Sequence, residues 1–358
     1  SSSGVLIQGE EVLQGDFTGP AGAARVFQES DLDVAVLETA RGGILLRGLG
    51  YESNDVSVVT NISDDHLGLH GVHTVDELAR VKRVVAQVTR EEGFVILNAE
   101  DERVLAMRQG LRGRPFLVTR QAHHPEVDMH RAAGGWALWI SSGQIHFSHD
   151  GTDEVLTTID DIPMTLGGRA IHMLENALCA AAATLAIGLP IDQVREGLAS
   201  FRNQTGQNRG RLNVFRLNDA TFIVDFAHNP AGLRHLLTLG RSMVEGDGRL
   251  IAAIGSAGDR PDETLAELGA IAAADADVIL VKDTIKYLRG RETGDIVRLV
   301  LSGIPPDCKA KVSTTPSEFA AFERALDLAR PGDTVAIMCI EDIDKIIGHL
   351  ESVATQRS

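Results

Sequence analysis

Cysteine is scarce in this chain. Cys179, Cys308 and Cys339 are odd in number and widely spaced, which leaves no disulfide framework and no zinc-ligand spacing. Aromatic residues are also few: 11 Phe, 2 Trp and 2 Tyr cannot furnish repeated stacking platforms for single-stranded bases. Positive charge is in the minority, with 34 Lys and Arg against 50 Asp and Glu, for a net charge of −16. Nucleic-acid binding needs clustered Lys and Arg, so no nucleic-acid partner is expected. Long apolar runs are missing as well. The stretch from Ala177 to Leu189 is broken by Thr184 and Gly188 and is too short to cross a bilayer. Ser1-Ser2-Ser3-Gly4 resembles neither a signal nor a transit peptide. These absences predict a cytoplasmic protein with no membrane partner.

What is present is globular in character. The 358 residues suffice for two domains, and 44% hydrophobic against 23% charged residues is the balance of a packed protein. Short apolar runs end abruptly in polar residues at 33–39, 55–61, 94–98, 221–225, 250–255, 277–282 and 334–341. Runs without alternation predict strands buried on both faces, and helical segments between many of them predict an α/β fold with a mostly parallel sheet. Ligands of such sheets gather at the carboxyl ends of the strands, where these runs turn polar. Residues 126–165 alternate and carry turn residues, which predicts a hairpin-rich insertion. Residues 202–211 are polar and aperiodic and make the best domain boundary.

Thr74-Val-Asp-Glu77 is a capping box ahead of an apolar run. At 100° per residue, Lys82 falls in one arc with Val75, Leu78, Val81, Val85 and Val88, while Arg80 and Arg83 point away. A lysine turned inward must be paired, neutralised or modified; a stem snorkelling at the edge of the arc fits the same spacing. Glu38, beside Gly42-Gly43, suits a magnesium ligand, although a capping or surface glutamate looks the same in sequence. The next run ends in Thr60-Asn61-Ile62-Ser63-Asp64-Asp65-His66-Leu67-Gly68, which adds amide, carboxylate and imidazole groups. Farther on, Gly255-Ser-Ala-Gly258-Asp259-Arg260 could hold anionic oxygens on backbone N–H groups. It matches the dinucleotide fingerprint poorly, so a nicotinamide oxidoreductase is disfavoured. Arg289 and Arg291 could grip a carboxylate bidentately or lie on a solvated helix face.

The order of these motifs resembles the Mur ligase superfamily. Glu38-Thr-Ala-Arg-Gly-Gly43, Thr60-Asn-Ile with Asp65-His66-Leu67-Gly68, the Lys82 helix and Leu97-Asn-Ala-Glu-Asp101 occur in sequence. His172-x-x-x-Asn176-Ala177, Gly210-Arg211 and Asp225-Phe-Ala-His228-Asn-Pro230 follow. Within the superfamily, Gly15-Asp16-x-Thr18-Gly19-Pro20 and Asp283…Leu288-Arg-Gly-Arg291-x-x-Gly294-Asp295 resemble the Mur-type half of the cyanophycin synthetases.

The resemblance implies a Mur ligase-like central ATPase domain over 1–205, short of its amino-terminal phosphate loop, and a Rossmann-like α/β domain over 206–358. It implies an ATP-dependent carbon–nitrogen ligase that works through an acyl phosphate, with ATP and Mg2+ as cofactors. Glu38, His66 and a carbamylated Lys82 would be the catalytic and metal-binding groups. Asn61, Asn176, Arg211, Asp225, His228 and Asn229 would meet the nucleotide, and Arg41, Asp259, Arg260, Arg289 and Arg291 the substrates. Those substrates would be arginine and an aspartate-containing acceptor; a homo-oligomer is left open. The departure is the phosphate loop, since none of Lys82, Lys282, Lys286, Lys309, Lys311 and Lys345 follows a glycine. The expectation is therefore a truncated chain, inactive alone; the alternatives are a silent nucleotide- or peptide-binding module that keeps the ligase fold, or another Mur-type peptide ligase.

Overall fold

The computed structural model describes residues 1–63, 68 and 70–357. It divides into two compact units, one of residues 1–161 with 174–198 and the other of 162–173 with 199–358. Beyond the 199–358 block, the second unit thus also takes in 162–173, a segment that the sequence alone assigns to the first domain. No helix among the described residues is long and apolar enough to cross a membrane.

The first unit opens with a hairpin of β1 (Gly4–Ile7) and β2 (Glu10–Gln14), then α1 (Pro20–Val26) and α2 (Arg41–Arg47). Its sheet contains β3 (Asn54–Val59), β4 (Thr89–Asn98), β5 (Arg114–Thr119), β6 (Trp136–Ser141), β7 (Gln144–His149) and β8 (Thr152–Thr158), in that spatial order. The first four run parallel and the last two return antiparallel. Helices α3 (Val75–Gln87), α4 (Glu102–Ala106) and α5 (Pro125–Ala132) cover one face, where Leu78, Ala86, Val104 and Val127 pack on Val95, Leu97, Leu117 and Ala137. Helix α6 (Ile171–Ala186) and α7 (Ile191–Ser200) follow.

Two expectations change here. The 126–165 stretch is no insertion: β6 extends the parallel ladder through β5, and β7 and β8 finish the same sheet. Its start is α5, because Pro125 presets the first helical turn and Glu126 and Asp128 suit the positive end of the helix. The 33–39 run is not a buried strand either. It has no ladder partner among the described residues, and Val34 and Val36 stand 52% and 91% exposed. Apolar content alone cannot make a strand, since unpaired backbone N–H and C=O groups go to water.

In the second unit, α8 (Thr205–Asn208) leads into β9 (Asn213–Leu217) and β10 (Ala220–Asp225). Then come α9 (Pro230–Ser242), β11 (Leu250–Ile254), α10 (Asp262–Asp275), β12 (Val278–Lys282) and α11 (Asp295–Ser302). The chain ends with β13 (Lys311–Thr315), α12 (Glu318–Leu328), β14 (Thr334–Met338), α13 (Ile343–Val353) and β15 (Thr355–Arg357). The sheet order is β13-β12-β11-β14-β10-β9-β15, parallel except around β9. Alternate residues feed two cores. Ile223, Ala252, Ile254, Ile279 and Met338 pack with α9, α10 and α11, while Phe222, Ile251, Leu280 and Ile337 pack with α12 and α13. Because β14 inserts between β11 and β10, the crossovers through α9, α10 and α11 lie on one face and the return through α12 lies on the other, and the carboxyl ends of β10, β11 and β14 border the crevice where such sheets take ligands.

Candidate ligase site residues

In the first unit, the capping box forms as the sequence demands: Thr74 Oγ1 accepts from Glu77 N at 3.1 Å and the Glu77 carboxylate accepts from Thr74 N at 3.1 Å. The helix it starts carries Lys82 half-buried over the end of β3, where Nζ donates to the carbonyl of Asn61 at 3.5 Å. Lys82 therefore sits at the polar edge of the apolar arc, reaching a strand end. His66, expected in the same loop, lies outside the described residues. Asp101 ties the adjoining turns together, accepting from Ile62 N at 2.6 Å and capping α4 through Arg103 N and Val104 N.

Glu38 is exposed in the irregular segment before α2, and its carboxylate accepts from Ser2 N at 3.0 Å. Two motifs meet close by. A Cβ on Gly43 would lie 3.2 Å from Gly19 Cα and 3.3 Å from the Thr18 carbonyl, so backbone approaches backbone where only glycines stand. Arg41 opens α2, which packs against α3. No distance brings Glu38 and Lys82 into contact, and among the described residues no group of three His, Cys, Asp or Glu could hold a metal.

Sequence reading missed a cluster at the ends of β4 and β5. Arg120 donates to Glu100 at 2.5 Å and to Glu175 at 2.9 Å, and Arg120 N also donates to Glu100. Burial raises the Glu175 carboxyl above its ordinary range, against the pull of Arg120. Glu175 precedes Asn176 on α6, whose side chain is exposed.

The second unit brings its expected nucleotide residues together at the end of β10. Asp225 accepts from Leu212 N and Ala227 N, each at 2.8 Å, and Phe226 N donates to the Gly210 carbonyl at 2.8 Å. The guanidinium of Arg211 lies 4.5 Å from the Phe226 ring centroid. Burial pushes the Asp225 carboxyl up, while its two backbone donors and Arg211 pull it down. His228 Nδ1 lies 3.1 Å from the Phe226 carbonyl. Asn229 caps α9 by accepting from Gly232 N at 2.8 Å.

The loop after β11 is not an open anion cradle. Gly258 N donates to the Tyr287 carbonyl at 2.8 Å, and a Cβ there would meet the Leu288 carbonyl at 2.0 Å, so this loop needs glycine for packing. Arg291 holds the same loop through the carbonyls of Gly258 and Arg260 and the carboxylate of Asp262. Arg289 is exposed at φ 51° with its guanidinium 5.2 Å from the Tyr287 ring, Asp259 is exposed, and Arg260 is buried.

A second unexpected feature is the ion pair of Lys282 and Glu318, 2.7 Å apart with both side chains fully buried. Glu318 opens α12 after the Ser317 cap and looks in sequence like any first-turn acid. No local spacing could reveal a partner so far along the chain.

With this geometry in view, the family match is decisive: the Mur ligase middle domain matches residues 15–184 and the Mur ligase glutamate ligase domain matches residues 210–339. The chain belongs to the Mur ligase family. Among curated relatives, the cyanophycin synthetase of Crocosphaera subtropica is 37% identical over 338 residues, covering 94% of this chain and 38% of that protein. The UDP-N-acetylmuramoyl-L-alanyl-D-glutamate–2,6-diaminopimelate ligase of Synechococcus elongatus is 27% identical over 296 residues, covering 82% of this chain and 54% of its own length. This family member thus spans well under half the length of the cyanophycin synthetases it matches.

Solved structures agree on the fold. E. coli FolC, in complex with DHPP and ADP, superposes with a TM-score of 0.65 at 21% identity, covering 92% of this chain and 69% of that one. The bifunctional folylpolyglutamate synthase/dihydrofolate synthase of Yersinia pestis, complexed with AMPPNP and Mn, gives 0.64 at 18% identity with the same coverage.

Proposed function

We propose that this Mur ligase chain is the ligase part of an ATP-dependent amide-forming enzyme of cyanophycin synthetase type. A substrate carboxylate attacks the γ-phosphorus of ATP and ADP leaves, giving an acyl phosphate. The amine of arginine then adds to the acyl carbon and loses a proton, and the tetrahedral intermediate expels phosphate to leave the amide. The acceptor is an aspartate side-chain carboxylate. Such transfers are governed by positioning and charge stabilisation.

The observation that carries this reading is Lys82, half-buried at the end of β3 with its amine on the Asn61 carbonyl. A protonated lysine has no lone pair for a cation, whereas a carbamate made from CO2 supplies two oxygens that share a negative charge. Glu38, His66 and carbamylated Lys82 are the proposed magnesium ligands; the described carboxylates and imidazoles alone do not complete a site. Magnesium bound there would offset the crowded negative charge of phosphate and carboxylate. Asn61, Asn176, Arg211, Asp225, His228 and Asn229 are assigned to the nucleotide. Asp225, with both oxygens fixed by backbone N–H groups, suits a ribose hydroxyl. In a protein of net charge −16, anionic substrates need local cations, and Arg41, Arg260 and Arg289 are the residues assigned to them. Asp259, exposed on the same loop, is assigned to the cationic amine donor, and Arg291 acts by shaping the loop that it binds.

The test is labelling with 13C-bicarbonate. A carbamate resonance is expected in the wild type and absent from Lys82→Ala. Its absence from both, with no ATP binding by calorimetry, overturns the reading.

A further inference from the structure

The loop that follows β14 wraps around a carboxylate from another element. Ile340 N, Glu341 N and Asp342 N donate to Glu318 at 2.9, 2.9 and 2.7 Å, while Lys282 Nζ reaches it from within the sheet at 2.7 Å. Successive backbone N–H groups converging on one anion form a nest of the sort that receives phosphates at strand ends. Here the anion is the protein's own, and it is fully buried. The Lys282 charge and the backbone donors outweigh the cost of burial and hold the Glu318 carboxyl at about 2, so the nest stays charged and filled.

The nest has a second layer. The carboxylate of Glu341, a residue of the nest, accepts from Ile285 N at 3.2 Å and Lys286 N at 2.8 Å. Lys286 Nζ answers by donating to the Glu341 carbonyl at 3.0 Å and to Asp342 at 2.7 Å. The 285–287 turn leads directly into Arg289, and its Tyr287 carbonyl takes the Gly258 N–H of the loop after β11. Hydrogen bonds thus run from one buried carboxylate through the β14 loop to the β12 loop and on to the β11 loop.

We propose that Glu318, charged and held by Lys282, is a positioning residue that sets the β14 loop and, through Glu341, the β12 loop that presents Arg289. The consequence for the reaction rests on the assignment of that loop to substrate made above. Glu318 touches no substrate; it fixes where the arginine stands. A nest filled from within also takes up amides 340–342, which are then not offered to a nucleotide phosphate, so this part of the loop acts as a rigid frame for the substrate loop.

Hydrogen exchange on the full chain tests the coupling without relying on activity. In Glu318→Gln, amides 340–342 and 285–286 are expected to exchange on the order of tenfold faster, with the β10 and β11 amides unchanged. Glu341→Gln, a change at a half-buried side chain that leaves the fully buried pair in place, should speed 285–286 alone. Uniform acceleration across the unit in Glu318→Gln, or unchanged 285–286 in both variants, overturns the proposal. In a longer polypeptide supplied with a phosphate loop, Glu318→Gln should raise KM for the amino substrate severalfold and leave KM for ATP unmoved; an equal rise in both overturns the positioning role. Absence of ligase turnover in the wild type would sink the functional reading and leave the exchange result to decide the coupling.

Discussion

A histidine ring packed against another ring, with no hydrogen-bond partner on one buried nitrogen, is a group that folding keeps neutral. His172 stacks on His235 at 5.4 Å with ring planes 12° apart, and its Nδ1 is buried without a hydrogen-bond partner. Burial first, and the neighbouring imidazole second, pull its pKa from 6.5 to about 4. The unfolded chain therefore binds more protons than the folded one between those values, and stability must fall as pH drops from 6.5 towards 4. The full shift corresponds to about 3 kcal/mol. Urea denaturation at pH 7.5 and 4.5 should show His172→Leu losing less stability on acidification than the wild type; equal losses would mean that His172 does not titrate in this way. At this scale the sequence was partly legible. Periodicity set Lys82 apart from Arg80 and Arg83, and the structure leaves Lys82 at a strand end. Glu318 and Arg120 were opaque, because their worth comes from partners brought near only by folding.

At the scale of elements, the buried runs at 55–61, 94–98, 221–225, 250–255 and 277–282 became β3, β4, β10, β11 and β12 because each found neighbours on both sides or a covered face. The run at 33–39, equally apolar, did not, since a strand is defined by its ladder and hydropathy says nothing of who pairs with it. The hairpins near 136–158 were legible as hairpins, but their place in the β3–β8 sheet depended on the parallel pairing of β6 with β5, which no local pattern encodes. Local signals served best where the chemistry is local. The Thr74–Glu77 box is one such case, and it starts the helix that carries Lys82. Thr74→Ala removes the acceptor for Glu77 N and should cost about 1 kcal/mol. Urea unfolding followed by circular dichroism measures this directly, and a loss within error of zero would show that the cap contributes nothing to this helix.

For the whole molecule, the order of motifs was more informative than any one of them. A lone strand-end glutamate or an Asp-His pair is ordinary; the same groups in one succession, with Gly210-Arg211 and Asp225 following, led to the family that the two domain matches establish. The fold is therefore well specified by these 358 residues, while the expectation of inactivity rests on one motif. None of the six lysines follows a glycine, so no backbone cradle with its lysine is present to hold the β- and γ-phosphates. Phosphoryl transfer relies on positioning and charge, so losing that cradle removes alignment of the γ-phosphate even where ribose and base contacts persist. The 358-residue polypeptide should thus bind ATP weakly and release no phosphate above background with arginine and an aspartate-rich peptide. Under the proposed reading, a longer polypeptide supplied with a phosphate loop should turn over, and Lys82→Ala should abolish that turnover unless short organic acids replace the proposed carbamate. Phosphate release at enzymatic rates by the 358 residues alone would show that another group holds the triphosphate, and full activity of Lys82→Ala in the longer form would remove the carbamate from the mechanism.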